Sequence, residues 1–460
     1  MIAGMKGISG IIERAFRNLI PAPFTLAVLL TFLTLLLAFF LSGDQSVSSA
    51  VQILRSWQSG MWEPALLVFA VQMMLILVLG HILVLSEPMK WLMDKLTSRI
   101  HNNASAVAVV CASTMLVAFF NWGLGLIFGA IMARKMAEQA SRKNFKINYP
   151  LLGAAGYSGL MVWHAGISGS APLKAAENGH LKSLFSAENA NIAGLLPELV
   201  PTSQTIFSSG NLILFGILLL LIPSALFLLA RKTPLEISSI DFSKTRTVII
   251  NPKGAEKLDA SPILKYILGI LLLLAFLASY YQELMQFNIT PNMLNFFMLG
   301  LCILLHQNFQ SFLAALDEAI VGAGAILIQF PLYFGIMGVM KDSGMVGQIA
   351  EFFTNLATET TLPLFTFLSA GLVNIFVPSG GGQWAIQGPI VMESAIKSGV
   401  SIPKAIMAFA YGDQITNMLQ PFWALPLLAI TKLKAREILP YSLLIMCLGI
   451  IIYVIGLLLL

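Results

Sequence analysis

Four stretches of this 460-residue chain set helix breakers beside small polar side chains inside otherwise apolar sequence. They are Asn121-Trp122-Gly123-Leu124-Gly125, Gly166-Ile167-Ser168-Gly169-Ser170-Ala171-Pro172, Asn374 to Gly382, and Thr416-Asn417-Met418-Leu419-Gln420-Pro421. A Gly or Pro break releases backbone N–H and C=O groups, which at membrane depth must face protein, ligand or a water-filled cavity. The N-terminus of a half-helix offers N–H donors and a positive dipole end to an anion, whereas unwound carbonyls with Asn, Ser or Thr oxygens suit a small cation. One isolated break reads as a kink or a packing device. Four of them at matched spacing read as a binding site, whose candidate residues are Asn121, Ser168, Ser170, Asn374, Ser379, Gly380, Gly381, Gly382, Thr416 and Asn417.

Two ionisable side chains lie beside these breaks, where charge is costly and so marks function. Asp413 stands four residues before Asn417, on one helical face with it, and His164 stands two before Gly166. Both are candidate proton-coupling groups; the structural alternatives are a carboxylate that holds the break open and a packed histidine. His81, Glu87, His306 and Glu318 fall near span ends, where solvated or capping roles are expected. Trp122, Trp163, Trp384 and Trp423 each adjoin a break and could wall a pocket for a short acyl chain, although interfacial anchoring also explains them. Lys and Arg avoid all four breaks, so a carboxylate would rest on the N–H groups of Gly380, Gly381 and Gly382, which favours a monoanion over a dicarboxylate. No catalytic residue, metal site or cofactor is expected, and coupling to H+ or to Na+ stays open.

Those breaks need long apolar elements to hold them. Charged residues make up 11% of the chain, AVILMFWYC 57%, and mean hydropathy is +0.83. A soluble surface needs about 25% charge, so the chain reads as an all-α polytopic membrane protein. Nucleic-acid binding gains nothing from a net charge of +5. Cys111, Cys302 and Cys447 sit singly in apolar runs and read as small hydrophobes. The first run, from Pro23, is too long for a signal peptide and reads as a retained helix.

Nine crossings are expected at 23–42, 63–86, 149–172, 205–230, 262–281, 291–306, 317–340, 404–431 and 437–460. Stretches 103–137 and 361–397 are interrupted at Asn121 and at Asn374–Gly382, leaving halves of roughly 15 residues, about 22 Å at helical rise, and both read as re-entrant hairpins. With the N-terminus inside, 20 of the 27 Lys and Arg fall in cytoplasmic segments and six outside, with Lys265 in a span. A single crossing at either interruption would scatter the basic loops, so the bias supports hairpins. The resulting plan is an inverted 5+1+5 repeat with two broken helices: residues 1–230, a linker with connecting span over 231–290, and 291–460. Residues 6–20 and 47–60 read as interfacial pieces.

The segments Asn374–Pro389, Ala410–Pro426, Phe120–Leu126 and Gly166–Leu173 resemble the bacterial short-chain fatty acid transporters of the acetoacetate/butyrate uptake type, most specifically at Pro378–Gly382 and Gln420–Pro426. The resemblance runs in order over nearly the whole chain. It implies a multi-pass carrier of the cytoplasmic membrane for small monocarboxylates such as acetate, butyrate or acetoacetate, within a wider ion-transporter superfamily that has paired hairpins, commonly forms homodimers and moves as an elevator. It also implies binding roles for the Asn-, Ser- and Thr-bearing breaks named above. Where the dicarboxylate branch has a second Ser-Asn-Thr pattern, this chain has Pro378-Ser379-Gly380 after Asn374. The rival readings are a passive anion channel and an intramembrane serine hydrolase built on Gly166-Ile167-Ser168-Gly169. The second needs a base near Ser168, and downstream only His180 and His306 exist.

Overall fold

A computed structural model describes residues 21–41, 43–89, 91, 95, 100–143, 145–185, 190–233, 235, 253–285 and 290–459. The expected interfacial piece at 6–20 and most of the 231–261 linker lie outside these residues. Among the described residues the chain is helical throughout, with no strand. The helices are α1 (Pro23–Leu41), α2 (Val47–Met61), α3 (Pro64–Leu85), α4 (Asn103–Phe120), α5 (Trp122–Arg142), α6 (Tyr149–Tyr157), α7 (Ser170–Ala175), α8 (Ser209–Ala230), α9 (Pro262–Met285), α10 (Pro291–Leu305), α11 (Phe309–Ile320), α12 (Gly324–Asp342), α13 (Met345–Asn355), α14 (Leu362–Phe376), α15 (Gly380–Lys397), α16 (Ile402–Thr416), α17 (Pro421–Thr431) and α18 (Ala435–Leu459). By length and composition α1, α3, α4, α8, α9 and α18 can each cross a bilayer, and α10, α14 and α17 are shorter apolar helices. Together they make the protein an all-α, multi-pass membrane protein.

Several helix starts are capped from within the chain, as burial away from water favours. Asn102, Asn148 and Asn308 each accept a backbone N–H three residues on, at 2.9 Å. Proline occupies the first turn of α3, α6, α10, α14, α16 and α17, where its missing N–H costs nothing. Two sets of helices form. In one, α12 packs on α1, α2 and α3, while α10 packs on α3 and α9. In the other, the α4–α5 pair packs with α6 and α8, α14 packs on α16, α17 on α5, and α18 on α6 and α8.

Four expectations are corrected. The arms of the first hairpin have 18 and 21 residues, about 27 and about 32 Å at helical rise, not roughly 15 residues each, and α4 alone is long enough to cross. The helix expected over 149–172 ends at Tyr157, giving way to a 3-10 turn at Ser158–Met161 and irregular chain before the short α7. Residues 317–340 are two helices, α11 and α12, joined by a 3-10 turn at Val321–Ala323. His81, expected near a span end in a solvated or capping role, is buried inside α3, where Arg134 of α5 packs against it; Arg134 and Lys135 are themselves buried, because Glu138 pairs with both.

Candidate functional site

The pair α4–α5 turns on the single residue Asn121 and the pair α14–α15 on residues 377–379, and the residues that cap α5 and α15 share the same extended φ. At the first tip Asn121 (φ −151°) accepts the Leu124 N–H through Oδ1 at 2.9 Å. At the second, Ser379 (φ −151°) accepts the Gly382 N–H through Oγ at 3.2 Å. The first tip is then largely consumed by protein: Trp122 N–H donates to Ser168 Oγ at 2.9 Å, and Gly125 N–H to Asn121 O at 2.9 Å. The second tip keeps the N–H groups of Gly380 and Gly381 without a protein acceptor among the described residues. Gly382, expected to hold an anion with them, is instead committed to the cap.

The unwound chain after Tyr157 runs between both tips. Ile167 N–H donates to Phe119 O at 2.7 Å, and a Cβ on Gly166 would lie 2.3 Å from that same oxygen, so only glycine lets the strand approach the end of α4. On the other side, a Cβ on Gly380 would lie 2.7 Å from His164 Cε1, and one on Gly381 would lie 3.8 Å from Ser170 Oγ. Gln414 replaces the helix bonds that unwinding removes: its Oε1 accepts the N–H groups of His164 at 2.7 Å and Ala165 at 3.1 Å. Its Nε2 donates to Tyr453 Oη at 2.8 Å, and Tyr453 in turn donates to Met161 O at 2.7 Å.

His164 and Asp413 meet at the centre, both fully buried at 0% exposure. Asp413 Oδ2 is hydrogen-bonded to His164 Nδ1. The other ring nitrogen, Nε2, accepts the Ala171 N–H at 3.0 Å, so the proton of a neutral ring sits on Nδ1, facing the carboxylate. Asp413 Oδ1 has no partner among the described residues. Trp163 stacks on the imidazole with ring centres 4.6 Å apart.

Asn374 ties the second tip to the break between α16 and α17. Its Nδ2 lies 2.6 Å from Asp413 O, 2.9 Å from Thr416 Oγ1 and 2.7 Å from Asn417 Oδ1, and its carbonyl accepts from Gln420 Nε2. Tyr157 Oη spans the same break, 2.7 Å from Asn417 O and 2.9 Å from Gln420 O. A Cβ on Gly412 would lie 2.1 Å from Phe367 O, so glycine there sets how closely α14 and α16 cross. Beside the junction Trp122 contacts both Trp163 and Trp423, at 6.1 and 5.2 Å between ring centres, and Phe69 closes the group. Trp384 stands apart, against Phe409 and donating to His180 Nε2 at 3.2 Å.

All ten sequence-derived binding candidates and both coupling candidates therefore lie on the two tips and the two breaks that meet them. Sequence reasoning missed Gln414, Tyr157 and Tyr453 and gave no binding role to Gln420, which together hold the breaks open; polar atoms in apolar spans were the only signal. It also missed the buried contact of Arg134 with His81, in which Arg134 Nη1 lies 3.2 Å from His81 Nε2, and the half-buried Glu318 beside it, whose Oε1 lies 3.4 Å from His81 Nε2. Ser168, the serine of the hydrolase reading, accepts from Trp122, while His180 bonds Trp384 and His306 bonds Cys302 O at 2.8 Å.

The short chain fatty acid transporter family model matches residues 5–460. An Escherichia coli K12 protein is 38% identical over 98% of both chains, and a Haemophilus influenzae Rd protein is 34% identical over 95% of this chain and 96% of its own; both are provisionally named short-chain fatty acid transporters. Among solved structures, Neisseria gonorrhoeae MtrF, from a class of antimetabolite efflux pumps, aligns over 96% of this chain and 97% of its own at 15% identity and TM-score 0.41. The Alcanivorax borkumensis YdaH transporter aligns over 95% and 98% at 15% identity and TM-score 0.47. A match across nearly the full length makes this chain a member of the short-chain fatty acid transporter family, a transporter and not an enzyme.

Proposed function

We propose that the protein is a secondary active carrier that moves short-chain monocarboxylates across the bacterial cytoplasmic membrane, coupled to protons. The observation that carries this reading is the close approach of the uncapped Gly380–Gly381 turn to the buried His164–Asp413 pair. The substrate carboxylate takes the Gly380 and Gly381 N–H groups at the start of the 18-residue α15, with Ser170 beside it, and a helix N-terminus suits one negative charge without a fixed cation. The acyl chain lies against Trp122, Trp163 and Trp423. Asn121, Ser168, Asn374, Ser379, Thr416 and Asn417 hold the tips and breaks in register around it.

Asp413 is the coupling group. Its Oδ2 is engaged by His164 and its Oδ1 is unpartnered, so a proton can be received on one carboxylate oxygen while the other keeps its bond. The two hairpins, α4–α5 and α14–α15, belong to oppositely oriented repeats of a 5+1+5 plan. The set containing α4–α8 and α14–α18 moves as one body against α1–α3 and α9–α12, in the elevator manner and within a homodimer embedded in the bilayer, as the family resemblance implies.

Labelled acetate, butyrate and acetoacetate taken up by proteoliposomes, under separately imposed proton and sodium gradients, test this. Accumulation driven by the proton gradient, with counterflow exchange, is expected. Accumulation driven by sodium alone moves coupling from Asp413 to the Asn121, Ser168, Asn374 and Asn417 oxygens, and flux without counterflow means a channel.

A further inference from the structure

A cavity of about 260 Å³ has neither His164 nor Asp413 nor either tip in its lining. The starts of α8 and α16 and the end of α18 line it, so these three ends lie at one end of the molecule. Its polar side carries Lys404, the one charged residue in the lining, with no carboxylate partner among the described residues. Beside it lie Ser209 and Gly210 of the first turn of the 22-residue α8, whose cap Ser208 takes only the Asn211 N–H, at 3.3 Å. Leu214, one turn on from Gly210, Met407, one turn on from Lys404, and Leu457 add apolar lining. A cation and a helix N-terminus beside apolar lining match a small amphiphile with one negative head, and the volume is below the ~300–1,000 Å³ of sites for drug-sized ligands.

The cavity is joined to the central junction by hydrogen bonds. Tyr411, in its wall, donates to Asn211 Oδ1 at 2.9 Å, and Asn211 Nδ2 donates to Ala165 O at 3.0 Å, next to His164. We propose that this cavity is a second anion subsite, in which Lys404 holds the head of a short-chain monocarboxylate and Leu214, Met407 and Leu457 hold its chain, loading the carrier from that end. The identity of the anion rests on the transport reading above; the head of an anionic lipid shares the same chemistry.

The test uses the full chain reconstituted in one orientation, as wild type, K404Q and K404R, in neutral phosphatidylcholine vesicles and in vesicles containing anionic phosphatidylglycerol. With butyrate supplied at the Lys404 end, K404Q is expected to raise KM several-fold at unchanged maximal rate. KM from the opposite side stays as in wild type, and K404R restores the first value; lost binding without lost turnover has this signature. The same effect in both lipids assigns the subsite to the free carboxylate, and an effect confined to anionic vesicles assigns it to a lipid head. Unchanged KM in both lipids, or an equal rise from both sides, overturns the subsite. If wild type moves no butyrate under any gradient, the transport reading fails; the subsite then stands or falls on whether butyrate raises the melting temperature of the purified protein and K404Q abolishes that rise.

Discussion

Replacing Asp413 by Asn tests the coupling assignment with little structural disturbance. The carboxylate is fully buried and engages His164 Nδ1 through Oδ2, while its backbone carbonyl accepts from Asn374 at 2.6 Å. The substituted side chain would leave the backbone bond in place and offer an amide oxygen to the imidazole N–H. The loss is then the difference between a charged and a neutral hydrogen bond, about 1 kcal/mol. Asp413→Ala would leave the His164 donor unpaired in the interior, at about 1–3 kcal/mol, and open a void besides, enough to confound transport with folding. The Asn variant cannot titrate, so proton-gradient-driven accumulation of butyrate should vanish while counterflow exchange continues within a few-fold of wild type. Uptake is normalised to inserted protein, and the melting temperature of the purified protein checks the small stability loss. Accumulation by Asp413→Asn at the wild-type level would refute the assignment and turn attention to sodium.

Three further outcomes are expected. Asn374→Ala removes the amide donor of buried Asn417 Oδ1 and Asp413 O, the latter keeping only Thr416 Oγ1 at 3.4 Å as a side-chain donor, and with a cost of about 1–3 kcal/mol for an acceptor left unpaired, transport should fall about tenfold or more in protein that still inserts; normal affinity and rate would show the residue to be dispensable. Single cysteines at positions 121 and 379, in a background without the exposed Cys447, should be labelled from opposite sides of the membrane, and labelling from one side in all conditions would sink the inverted plan. Burial holds the His180 pKa below the ordinary 6.5, and its neutral Nε2 accepts from Trp384. As the unfolded chain takes this proton first, the contact's stability is complete above about pH 6.5 and is lost as pH falls through the lowered folded value. His180→Gln should therefore flatten the fall in melting temperature between pH 7 and 5, and an unchanged fall would remove His180 from the account.

Where the chain breaks was legible in the sequence, because at membrane depth Gly, Pro and Asn in apolar runs have few structural uses. What the breaks touch was not. His164 and Asp413 stand 249 positions apart, and no periodicity records a contact at that separation. The same gap in information explains Tyr157: its apolar, glycine-rich continuation reads as helix, yet Gln414 and Phe119 supply from other segments acceptors that a continuing helix would have provided locally. Gly382 shows the reverse error, since three glycines in a row suggested three free donors and the local cap took one.

These long-range bonds also bear on how a carrier of this design would work. An unwound segment held by its own sequence would stay unwound whatever the hairpins did. Here the segment from Ser158 to Gly169 is held by Phe119 and Trp122 at one tip, by Gln414 and Asp413 on α16, and by Tyr453 on α18. Displacing either tip would therefore remove partners from buried polar groups at the centre, at about 1–3 kcal/mol each, unless a ligand or a proton replaced them. A carboxylate on the Gly380–Gly381 turn and a proton on Asp413 are replacements of that kind. Coupling in this scheme needs no separate gate: the empty and loaded junctions differ in how many buried groups are satisfied, and that difference biases which tip is free to move. It follows that Gln414→Ala, which strips the His164 and Ala165 N–H groups of their shared acceptor, should permit uncoupled substrate leak down its own gradient, whereas Asp413→Asn should not. Equal leak in both variants, measured as flux at zero proton gradient, would contradict that view of the junction.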